Sequence, residues 1–172
     1  YSFLKKIKFP IINRMLELNK NDLLLDVGTG AGIFAEKLAD SCKKIIAIDI
    51  NLDNIKIAKN QIKNKDIFYI VCDATYLPFK DNSFNKILAT EIIEHIKRDD
   101  LFVNELSRIL KDNGTIVITT PCNNPSISLE WIRKKTGVDM RYAFGHMRSG
   151  YTKETLSKLL NKSNLKIIKT SY

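Results

Sequence analysis

Apolar residues in this chain fall in short dense runs, separated by stretches where they recur at helical spacing. Leu23-Leu24-Leu25-Asp26-Val27, Lys44-Ile45-Ile46-Ala47-Ile48-Asp49, Ile67-Phe68-Tyr69-Ile70-Val71-Cys72, Lys86-Ile87-Leu88-Ala89-Thr90 and Thr115-Ile116-Val117-Ile118-Thr119-Thr120 are nearly continuous, the pattern of strands buried on both faces. Between them, Ile33 to Leu38, Leu52 to Ile62 and Asp99 to Leu110 read as helices. Asn51 stands ready to cap the second, and Asn113-Gly114 to stop the third. A further helix is expected from Thr152, as cap, to Leu160, and a sixth strand from Leu165 to Ile168. Ser2 to Leu18 has helical spacing interrupted by Pro10, which predicts one or two short helices.

Strand and helix alternate, so the strands form a mostly parallel sheet, and right-handed crossovers make it doubly wound. The expected fold is Rossmann-like α/β, three layers deep, with a ligand crevice outside the carboxyl ends of the strands. One domain over residues 1–172 is expected, with residues 1–20 a helical lead-in. Residues 122–150 break the pattern; a connection that long inside a compact domain is expected to serve as a substrate lid. It carries Trp131, Arg133-Lys134-Lys135, Tyr142, Phe144 and His146.

Composition narrows the classes. A chain of 172 residues suits one hydrophobic core. No apolar run approaches the ~20 residues of a membrane span, and no secretory pattern opens the sequence. A cytoplasmic protein without membrane attachment is expected. Cys42, Cys72 and Cys122 form no CxxC, which argues against a disulfide framework or zinc finger. The net charge of +9 is compatible with an RNA partner, but the lysines scatter over the whole chain, as solvated faces do.

The sharpest local signal is Leu25-Asp26-Val27-Gly28-Thr29-Gly30-Ala31-Gly32, a strand running into a glycine loop and then a helix. A nicotinamide fingerprint, GxGxxG, wants glycine or alanine where Ile33 stands. Asp26 would repel a pyrophosphate but suits a cationic aminoacyl group. Asp49 ends the second strand, where an acid can accept ribose hydroxyls. Asp73 follows the third strand, placed for the amino group of an adenine. Any one of these aspartates can be a turn or cap residue. Three at successive strand ends, beside one crevice, point to a nucleoside cofactor.

With these residues in view, the chain resembles the class I S-adenosylmethionine-dependent methyltransferases, in particular the type 11 small-molecule group. The resemblance runs from about Leu23 to Pro121 and rests on the order and spacing of LLLDVGTGAG, IIAIDI, VCDATYLPFKDNSFNKILATEIIEHI and ELSRILKDNGTIVITTP. It implies a seven-stranded sheet whose last strand is antiparallel; with six strand-like runs here, that final strand is expected to be missing. It also implies that Asp26, Gly28, Thr29, Gly30 and Gly32 surround the methionine part of the cofactor. Asp49 and Ile50 would then hold ribose and adenine, Asp73 and Ala74 the adenine edge, and Thr90 would lie near the transferred methyl.

Methyl transfer from a sulfonium needs alignment and, for a hydroxyl or protonated amine, a base. The Asn/Asp-Pro-Pro-Tyr run of amino-directed DNA and glutamine enzymes is absent after the fourth strand, as is the cysteine of cytosine C5 enzymes. Glu91, Glu94 and His95 are expected to share a face of a helical turn there. With His146 from the lid they offer a donor set for Mg²⁺, Mn²⁺ or Zn²⁺. Similar ExxEH runs look like the metal sites of ubiquinone-pathway O-methyltransferases, yet many relatives carry the run without a metal. The preferred expectation is that Glu91, His95 and His146 act as acid–base or acceptor-binding residues with no metal. The function expected is methylation of an O or N atom of a small-molecule acceptor. An RNA methyltransferase and a non-catalytic S-adenosylmethionine-binding module are the alternatives.

Overall fold

The computed structural model describes residues 2–121, 147 and 150–171. Its centre is a five-stranded, wholly parallel sheet in the order β3-β2-β1-β4-β5, formed by β1 (Leu23–Val27), β2 (Lys44–Asp49), β3 (Ile67–Val71), β4 (Phe84–Thr90) and β5 (Leu110–Thr119). The helices are α1 (Ser2–Leu16), α2 (Ile33–Leu38), α3 (Leu52–Gln61), α4 (Asp99–Ile109) and α5 (Lys153–Asn161). The three-layer α/β architecture expected from the alternation is therefore present.

Alternate residues of each strand feed two cores. On one face Leu24, Ile45, Ala47, Leu88 and Val117 pack under Ile12 and Leu16 of α1 and Phe34, Ala35 and Leu38 of α2. On the other, Leu25, Val27, Ile48, Ile87 and Ala89 meet Phe102, Val103, Leu106 and Ile109 of α4 and Leu160 of α5. Both faces of the central strands are covered, which is why those strands read as unbroken apolar runs. The caps fall where the side chains allow: Asn51 accepts from the Asp53 amide at the start of α3, and Thr152 forms a reciprocal capping box with Thr155 on α5.

Four expectations are corrected. Pro10 does not divide the first helix; it lies on the exposed side of α1, while Phe9 before it and the buried Ile12 and Leu16 after it pack on the same core. Helix α4 ends at Ile109, before Asn113-Gly114; Leu110 already pairs with Phe84, and Asn113, at φ +61°, makes the turn before the ladder resumes at Thr115 opposite Lys86. Leu165 to Ile168 is no strand. Leu165 and Ile167 turn toward the core while Lys166 and Ile168 are exposed, so the period of two is there, but no described strand runs beside it to supply hydrogen bonds. The fourth correction concerns Glu91, Glu94 and His95 and is described with the site.

Strand β3 is one edge of the sheet. Phe68 on it is 45% exposed, and Lys44 of β2 sets its ammonium 4.6 Å from the centre of that ring. Between β3 and β4 the chain crosses over as a loop held by Arg108 of α4. That guanidinium donates to the carbonyls of Leu77 and Phe79, to Asp81 and to both oxygens of Glu105, and Glu105 in turn accepts from the Leu77 amide. Among the described residues no helix is long and apolar enough to cross a membrane.

Candidate functional site

In the order 3-2-1-4-5 the connections reverse direction between β1 and β4, and the ends of these two strands flank the crevice where α/β sheets bind ligands. The glycine loop closes one side. Its amides are spent on the protein: Gly28 and Thr29 donate to the Ile48 carbonyl, Gly32 to the Thr29 carbonyl, and Gly30 to Asp49 Oδ2 at 2.9 Å. Gly28, Gly30 and Gly32 all have positive φ, but they do different work. A Cβ on Gly28 would stand 2.7 Å from Ile92 Cδ1, and one on Gly32 the same distance from Ile62 Cδ1. A Cβ on Gly30 would meet nothing within 4 Å. Gly28 and Gly32 let the chain pack, whereas Gly30 leaves open space above the loop.

All three aspartates serve the fold, and Asp49 and Asp73 keep acceptor capacity besides. Asp26 is wholly buried and accepts from Thr29 Oγ1 at 2.7 Å, so it braces the loop from within. Asp49 accepts from Gly30 and Asn51 amides, one on each oxygen, and ties the glycine loop to the end of β2. Each oxygen keeps a second lone pair for a hydroxyl donor. Asp73 is exposed; both donors of Thr75 converge on its Oδ1, which orients the carboxylate and leaves Oδ2 able to accept another donor. Ala74 beside it is buried, and Ile50 is 71% exposed. Thr90 is half-buried at the end of β4.

The run after β4 does not form the expected shared face. Glu91 stands alone at φ +51°, and a 3₁₀ turn, Ile93–His95, follows it. That geometry sends the three side chains apart: Glu91 is half-exposed, Glu94 is wholly buried, and His95 lies at the surface. Among the described residues no three His, Cys, Asp or Glu side chains come together to hold a metal. His146, Trp131, Tyr142, Phe144 and the Arg133-Lys134-Lys135 run lie outside the described residues.

Glu91 Oε1 accepts from Thr119 Oγ1 of β5 at 2.9 Å and pairs with Lys8 Nζ of α1 at 3.0 Å. Glu94 Oε2 accepts from Thr120, and its carbonyl accepts from the Met147 amide. Ile92, between them, is the wall against which Gly28 packs. Lys8, Ile92 and Thr119 were not legible as site residues. Lys8 and Thr119 are far from the glycine loop in sequence and carry no motif, and Ile92 is an ordinary apolar residue until its contact with Gly28 is seen. A shallow hollow of about 450 Å³ at β3 and α3 is lined by Lys59, Ile62, Phe68 and Tyr69 among others.

Burial pushes the Glu94 carboxyl above the usual glutamate range; the charge of Glu91 adds to this, while its own backbone amide, Thr120 and His95 pull the other way. The folded state therefore holds this proton more tightly than the unfolded chain, and the carboxyl costs stability as pH rises above the ordinary glutamate value of about 4.3. Glu94→Gln is expected to be more stable than the parent at neutral pH. The gap should be absent near pH 3, open as pH rises through about 4.3 and level off above the folded-state value. Urea midpoints across that range test this; a gap that does not change with pH would show the carboxyl titrating alike in both states.

Sheet order, glycine loop and acids at successive strand ends define a Rossmann-like domain for a nucleoside cofactor. The chain belongs to the methyltransferase-domain family, whose model matches residues 25–118, and so to the class I S-adenosylmethionine-dependent methyltransferases. It is 39% identical over 103 residues to the ubiquinone biosynthesis O-methyltransferase of Pelagibacter ubique, a match covering 59% of this chain and 42% of that protein. The chain thus spans less than half the length of that relative. A solved structure from Bacillus halodurans, of a protein proposed to be a methyltransferase, superposes with a TM-score of 0.79 at 24% identity, over 91% of this chain and 68% of that one. Phosphoethanolamine N-methyltransferase 2 of Haemonchus contortus, solved in complex with S-adenosyl-L-methionine, superposes with a TM-score of 0.76 at 22% identity, over 92% of this chain and 36% of that one.

Proposed function

We propose that this chain binds S-adenosylmethionine across the ends of β1, β2 and β3 and moves its methyl group to an O or N atom of a small-molecule acceptor. The open space above Gly30 is the observation that carries this reading. Around it, the residues fit the cofactor's parts: the spare lone pairs of Asp49 suit ribose hydroxyls, exposed Ile50 suits an adenine face, and Asp73 Oδ2 suits an amino group. When bound, the cofactor supplies a methyl group on a positively charged sulfur that leaves as a neutral thioether. The chain's residues then have two tasks, to hold donor and acceptor in line and to take up a proton where the acceptor carries one. Glu91, beside the crevice at the end of β4, is the group assigned to the second task. His95 and His146 are assigned to the acceptor side, and the 122–150 connection to the acceptor's cover.

Calorimetric titration with S-adenosylhomocysteine, with NAD as control, tests the cofactor assignment. Micromolar binding of S-adenosylhomocysteine alone is expected. Asp49→Ala should weaken it at least about tenfold, because charge-assisted hydrogen bonds are each worth about 1.5–3 kcal/mol and the loop loses its tie to β2 as well. A folded chain that binds neither ligand, or binds NAD, removes this reading.

A further inference from the structure

Among the described residues five other than glycine have positive φ; three are asparagines, which tolerate that conformation, and Glu17 simply follows the last turn of α1. Glu91 is different. It is a glutamate at φ +51°, in the middle of the site, and such strain persists only where the surroundings over-determine it. The surroundings here are specific. Its backbone amide donates to the Thr119 carbonyl at 2.9 Å, while its carboxylate is gripped at one oxygen, Oε1, by Lys8 from α1 and by Thr119 from β5. The side chain is still 39% exposed. Two donors from two elements thus fix one oxygen, and no described residue hydrogen-bonds to the other, Oε2. A salt bridge serving only to dock α1 would not need the strained backbone or a second donor on the same atom.

We propose that Lys8 and Thr119 are positioning residues that hold Glu91 as the proton acceptor for a hydroxyl-bearing small molecule. The inference rests on the methyl-transfer reading above and narrows its acceptor to an O–H group. In the step it describes, the hydroxyl oxygen forms a bond to the methyl carbon. The carbon–sulfur bond breaks with its electron pair left on sulfur, and the hydroxyl proton passes to Glu91 Oε2 and from there to water. Lys8 and Thr119 touch neither reactant; they keep Oε2 where the proton is released.

The test measures radiolabelled methyl transfer from S-adenosylmethionine to a panel of catechol, 4-hydroxybenzoate and benzyl alcohol, alongside the affinity for S-adenosylhomocysteine. Transfer to at least one hydroxyl is expected, and Glu91→Gln should lower kcat by at least about 100-fold. Lys8→Met and Thr119→Val should each lower kcat about tenfold, with KM and cofactor affinity unchanged, and Lys8→Arg should restore most of the rate. In the Glu91→Gln background Lys8→Met should do nothing further, because its effect passes through that carboxylate. A rise in KM with kcat unmoved would make Lys8 an acceptor-binding residue and overturn the proposal, as would a full additional loss in the double variant. Cofactor binding with no transfer to any hydroxyl overturns it and leaves the cofactor reading standing; absence of cofactor binding defeats the earlier reading instead.

Discussion

Gly28→Ala is expected to cost the protein about 2–4 kcal/mol and to weaken S-adenosylhomocysteine binding by at least about 100-fold. Two penalties combine. A side chain at φ +71° costs roughly 1–2 kcal/mol. The new methyl would also stand 2.7 Å from Ile92 Cδ1 and 3.2 Å from Ile92 Cβ, and overpacking of that kind costs about 1–3 kcal/mol. Ile92 Cδ1 can swing away, but its Cβ is tied to the backbone between Glu91 and the buried Ile93 and cannot. The loop must move, and with it the Gly28 and Thr29 bonds to Ile48 and the Gly30 bond to Asp49. Gly30→Ala makes the comparison informative. Its conformation is strained too, at φ +57°, but its Cβ would enter empty space. It should lower thermal stability far less than Gly28→Ala and still impair binding. Undiminished affinity in folded Gly30→Ala would mean that the ligand does not use the space above the loop.

Phe84→Ala carries the largest stability effect, about 3–5 kcal/mol by urea denaturation. Phe84 is 1% exposed at the entry to β4, and it meets Phe79 edge-on with ring centres 5.0 Å apart. It joins the strand to the crossover loop that Arg108 holds through the Phe79 carbonyl. Removing the ring therefore leaves a cavity and loosens a loop whose other support is a network of polar bonds. Against a total of about 5–15 kcal/mol for a domain, this loss brings the variant close to unfolding. A loss below about 1 kcal/mol would show that the loop collapses into the space and that the packing counts for little.

The sheet was legible because buried strands of a parallel sheet have no polar face to confuse the reading, and the caps because Asn51 and Thr152 act through bonds to their near neighbours. What sequence could not show was decided by partners distant along the chain. Leu165 to Ile168 has the alternation of a strand, and alternation says which side is apolar, but a strand exists only with a neighbour to bond. Pro10 looks like a break until Phe9 before it and the buried Ile12 and Leu16 after it are seen to pack on the same core. Glu91, Glu94 and His95 share a face only if the turn is α-helical, and the left-handed residue at its start is invisible in the letters. Lys8 became part of the site only when α1 was seen to reach the end of β4.

The lysine over Phe68 bears on how copies of this molecule meet. A terminal strand with an exposed ring invites the same edge of another molecule to lie against it and extend the sheet. With Lys44 fixed 4.6 Å above that ring, each edge presents a cation, and two edges brought face to face repel before their backbones can pair. Part of the net charge of +9 thus sits where it opposes pairing between copies, a role that needs no anionic partner.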